Sequence, residues 1–81
     1  MRLTELTADL QALREDIAEE LLAINRYEDQ LLTLSDEDAK EAVNRIVEEK
    51  KEHVARLLAL LQRLDVKQRE KIDRALGPRA R

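Results

Sequence analysis

The stretch Leu13–Leu34, LREDIAEELLAINRYEDQLLTL, places its apolar residues at alternating steps of three and four. Carried back toward the start, the series reads Leu3, Leu6, Leu10, Leu13, Ile17, Glu20, Ile24, Tyr27, Leu31 and Leu34. A second series follows: Val43, Ile46, Lys50, His53, Leu57, Leu60 and Leu64. This repeat marks a helix face that packs against other helices. Such a face should be apolar throughout, yet Glu20, Lys50 and His53 interrupt it, with Tyr27 a softer exception. Between the two series lies Leu34-Ser35-Asp36-Glu37-Asp38, the clearest boundary in the chain. Folding back there makes the two helices antiparallel and sets Glu20 opposite Lys50, within about one helical turn. The interruptions therefore converge on one layer, and that layer is the place to look for function.

Composition supports a purely helical reading. The chain has 81 residues, with one Gly, one Pro, one aromatic residue and no Cys. Leu, Ala, Glu, Lys and Arg dominate, which is helical vocabulary, and the absence of Cys excludes disulfides and thiolate metal sites. One domain over residues 1–81 is expected, near the lower size limit for a self-sufficient core. Charged residues make up 41% of the chain, with signs interleaved and a net charge of −3, so nothing favours nucleic acid or an anionic membrane as partner. Charge is nonetheless uneven: residues 1–65 carry a net −7 and residues 66–81 a net +4. The basic end lacks aromatic stacking residues and reads as a solvated terminus or an intersubunit contact. No apolar run reaches the roughly 18 residues needed to span a bilayer and no signal-peptide core follows Met1, so a cytoplasmic location is expected.

The spacing predicts a first helix from a cap at Thr4 or Thr7 to about Leu34. Ser35 is the expected cap of a second helix running from about Asp36 to Leu64, with Asp36, Glu37 and Asp38 at its positive end. Asp65 can cap a short third helix from about Val66 to Leu76. Gly77-Pro78 should stop it and leave a frayed tail over residues 77–81. Leu21, Leu22, Leu32, Val47, Val54, Leu58 and Leu61 broaden the stripes beyond what two helices can cover. A lone hairpin would expose that surface, so a homo-oligomer, at least a dimer forming a four-helix bundle, is expected.

Two chemistries fit the polar layer. Glu20 and Lys50 can pair across the helices, with His53 bonding the remaining oxygen; such a group adds little net stability but penalises slippage of register. Alternatively, carboxylates and an imidazole on facing helices can bind iron, manganese or zinc. Residues three or four apart on a helix share a side, so Glu49 could join Glu20 and His53 as a third ligand. Nothing resembles a nucleophile with an oriented base, nor a glycine-rich phosphate loop.

The stretch Glu20-Leu-Leu-Ala-Ile-Asn-Arg-Tyr27-Glu28 resembles the first-helix signature of small ferritin-like proteins. The stretch from Glu48 through His53 to Asp65, EEKKEHVARLLALLQRLD, resembles their second helix. The nearest group is the encapsulated ferritins and their rubrerythrin-like half-ferritin kin, and the likeness covers roughly residues 15–66. It implies a single hairpin that dimerises into the ferritin bundle, iron as the metal, Glu20 and His53 as ligands, and Tyr27 as a nearby phenol. It also implies an encapsulating shell protein as a possible partner, although Gly77-Pro-Arg-Ala-Arg81 does not read as a convincing shell-targeting peptide. One departure matters. Relatives carry a metal-bridging Glu three residues before the His, where this chain has Lys50. Without that carboxylate two close metal ions lose their main charge compensation, and an added ammonium increases the repulsion, which counts against ferroxidase activity.

Overall fold

A computed structural model describes residues 2–77 and contains three helices: α1 (Leu3–Thr33), α2 (Glu37–Leu64) and α3 (Val66–Leu76). The expected fraying of residues 78–81 lies outside the described residues. No helix among those described is long and apolar enough to cross a membrane.

Local chemistry explains each boundary. α1 begins at Leu3, two residues earlier than a Thr4 cap would set it. The Glu5 carboxylate accepts from the Arg2 backbone N–H at 3.4 Å, and Thr7 instead donates to the Leu3 carbonyl at 2.9 Å inside the helix. Neither Thr4 nor Thr7 therefore caps it. The cap of α2 is Asp36, not Ser35: its carboxylate accepts from the Ala39 N–H at 2.8 Å. The ionised side chain also faces the positive end of the helix dipole, which a serine hydroxyl exploits less well. Asp65 ends α2 and caps α3 as expected, accepting from Gln68 N–H at 3.1 Å. Gly77 follows at φ 73°, a positive value that glycine alone adopts without a side-chain penalty.

α1 and α2 pack as an antiparallel hairpin, and α3 continues from α2 at the Asp65 junction without close contact to α1. The buried residues are Ile17, Ala23, Val47 and Leu61. The spacing runs the α2 stripe through Val43, Ile46, Lys50, His53, Leu57, Leu60 and Leu64, whereas the α2 residues that the structure buries are Val47 and Leu61, from the broadened flank of that stripe. His53 is only half-buried and Leu60 is exposed.

The resulting body is thin. It measures 49 × 33 × 14 Å, so its shortest dimension is little more than one helix diameter of about 10–12 Å. Its radius of gyration is 16.3 Å, against about 12 Å for a compact chain of this length. Its accessible surface is 6491 Å², against about 5,000 Å² for a compact monomer of the same mass. Leu32, Leu3 and Leu22 are 85%, 78% and 68% exposed.

Candidate functional site: a polar layer between the hairpin helices

Glu20 reaches the layer from the middle of α1, while Lys50 and His53 reach it from one side of α2, three residues apart. Lys50 Nζ lies 3.0 Å from Glu20 Oε2, and His53 Nδ1 lies 3.2 Å from Glu20 Oε1. The carboxylate thus engages one partner with each oxygen. With its proton on Nδ1, the imidazole donates to Oε1. The Lys50 contact is a close ion pair and supplies the charge compensation of Oε2, the buried oxygen. The Lys50 ammonium holds the Glu20 carboxyl below its usual value of 4.5; burial opposes this, and His53 adds to the lowering.

The layer is not sealed. The His53 side chain is 43% exposed, and those of Lys50 and Glu20 are 27% and 19% exposed. A cleft of about 290 Å³ opens beside it, lined by Asp16, Glu19, Glu20, His53, Arg56 and Leu57. A second, of about 400 Å³, runs past Glu19, Glu20, Ala23, Arg26 and Lys50.

The sequence singled out five residues here, and the structure brings three of them together. Glu20, Lys50 and His53 meet. Glu49 is exposed and forms neither a hydrogen bond nor an ion pair with Glu20 or His53. Tyr27 sits half-buried two turns along α1, about 10.5 Å from the layer, with the Arg26 guanidinium 5.3 Å from its ring centroid. Among the described residues, no group of three or more His, Asp or Glu side chains is placed to hold a metal ion. Glu20 and His53 are the two potential donors that meet here, with the Lys50 ammonium competing for the same carboxylate.

Two features went unread in the sequence. Asp16 and Glu19 share the cleft with His53, a placement that Asp16, four before Glu20, and Glu19, three after Asp16, could have signalled. Arg14 donates to Asp65 at 3.1 Å, tying α1 to the α2–α3 junction. Periodicity carries no trace of that contact, because it depends on where the third helix turns away.

Comparison with protein-family models, with curated proteins and with solved structures finds no match.

Proposed function

We propose that this chain is a self-assembling helical hairpin of ferritin-like design in which a lysine ammonium stands where relatives would hold a metal cation. Glu20 supplies the negative charge, Lys50 the positive one, and His53 orients the carboxylate. The observation that carries this reading is the 3.0 Å contact between Lys50 Nζ and Glu20 Oε2. A carboxylate so neutralised is a poor ligand and a poor base, and it suits a structural role. The layer then acts as a register lock: sliding α1 past α2 by a heptad would leave Glu20 and Lys50 each unpaired among leucines. The flat shape and the surface excess, on the order of 1,000 Å² per chain, support self-assembly, because an extensive interface removes a similar area.

A second reading keeps iron, or manganese or zinc, bound between two copies by Glu20 and His53. It rests on the 3.2 Å approach of these two donors in an acidic cleft. Metal analysis of protein purified without chelator separates the readings. The register-lock reading expects equal trace metal in the wild type and in His53→Ala. Stoichiometric metal in the wild type, lost in His53→Ala, would establish the second. Lys50→Glu, which restores the bridging carboxylate, is expected to destabilise the metal-free protein and to create iron binding. A Lys50→Glu protein that is as stable as the wild type and binds no iron would remove the ferritin-like basis of both readings.

A further inference from the structure

The open side of the hairpin carries an ordered charge pattern. Asp9 and Asp16, seven residues apart, lie on the α1 rim of the clefts. Arg56 and Arg63, also seven apart, lie along α2. Both spacings span about 10.5 Å along a helix. The heights match as well: Asp16 shares a cleft with Arg56, and Asp9 shares another, of about 250 Å³, with Leu64, the neighbour of Arg63. Between the rims runs an apolar floor of Ala12, Leu13, Leu57, Leu60 and Leu64. Asp9, Asp16 and Arg63 are exposed and have no ion-pair partner among the described residues; Arg56 only reaches Glu52 on its own helix at 3.8 Å.

We infer that a second copy of this chain covers this cleft, with α1 of each copy lying over α2 of the other, so that Asp9 and Asp16 pair with the partner's Arg63 and Arg56. The inference rests on the self-assembly reading and specifies its geometry. Two identical plates can stack face to face about a twofold axis in two ways. An axis perpendicular to the helices puts α1 over α1 and sets acids against acids. An axis parallel to the helices puts α1 over α2, antiparallel and at unchanged height, so that acids meet arginines. Charge selects the second, and the twofold doubles each pair, because residue i meets j wherever j meets i. The small side chain of Ala12 on the floor lets the helices approach closely. Glu19, which shares a cleft with His53 within one chain, then arrives at the height of the partner's His53, and the polar layers of the two copies become neighbours.

The test uses two full-length variants, Arg56→Glu/Arg63→Glu and Asp9→Lys/Asp16→Lys, studied singly and mixed by sedimentation equilibrium and circular dichroism. The wild type is expected to dimerise. Each variant alone is expected to self-associate about tenfold more weakly or worse, because every interfacial pair becomes like-charged. An equimolar mixture is expected to form a heterodimer with wild-type affinity. If a variant unfolds alone, recovery of helicity on mixing reports the same pairing. Variants that self-associate like the wild type, or that gain nothing on mixing, would overturn this geometry while leaving self-assembly intact. A wild type that stays monomeric at micromolar concentration would overturn both.

Discussion

Glu20 is the residue on which the molecule turns. Its carboxyl is held below the usual value by Lys50, so in the pH range just under 4.5 the unfolded chain binds a proton that the folded chain refuses. Stability therefore rises with pH through that window. The Glu20 contribution is complete above the ordinary carboxylate value and is lost as the pH falls through the depressed one. Glu20→Gln is expected to lower stability at neutral pH, leaving Lys50 uncompensated, and to flatten the acid limb of a pH-stability profile measured by urea unfolding. A variant whose acid limb matches the wild type would show that the pair does not persist in solution. The convergence of Glu20 with Lys50 and His53 was legible in the sequence, because antiparallel pairing about one short turn leaves little freedom of height. The exclusion of Glu49 was not legible. It depends on which side of α2 turns toward α1, here the side of Val47 and Leu61, and stripes this broad leave that open.

At the scale of elements, the caps distinguish neighbouring polar residues that a sequence treats as equivalent. Asp36→Ala is expected to cost about 1 kcal/mol, whereas Ser35→Ala should lie within about 0.5 kcal/mol of the wild type. Thermal unfolding of both variants measures the contrast, and equal losses would put the helix start at Ser35. Helix number, order and approximate ends followed from spacing, from the acidic run after Leu34 and from Gly77. The exact starts did not. They were decided by which side chain reached the free amides first: Glu5 doubling back at one helix and Asp36 folding forward at the next.

As a whole molecule, the chain has too little interior to account for its own leucines. Among the described residues, the buried side chains of Ile17, Ala23, Val47 and Leu61 are modest, and no large one is fully enclosed. A melting temperature that rises with protein concentration is the expected signature of a fold completed by association, and sedimentation should report at least a dimer. A concentration-independent transition from a monomer would show that the thin hairpin is sufficient by itself. The same economy explains the open polar layer: a helical hairpin has one seam, and groups beside that seam stay accessible.

By itself, the sequence determined the all-helical hairpin, its short third helix and the level at which charge enters the stripe, since helical periodicity and one turn dictate those. Only the tertiary structure decided which side of each helix faces its neighbour. Stripes this broad admit several rotations, and packing chose the one that buries Val47 and Leu61, pairs Lys50 with Glu20 and leaves matched acidic and basic rims along an uncovered cleft.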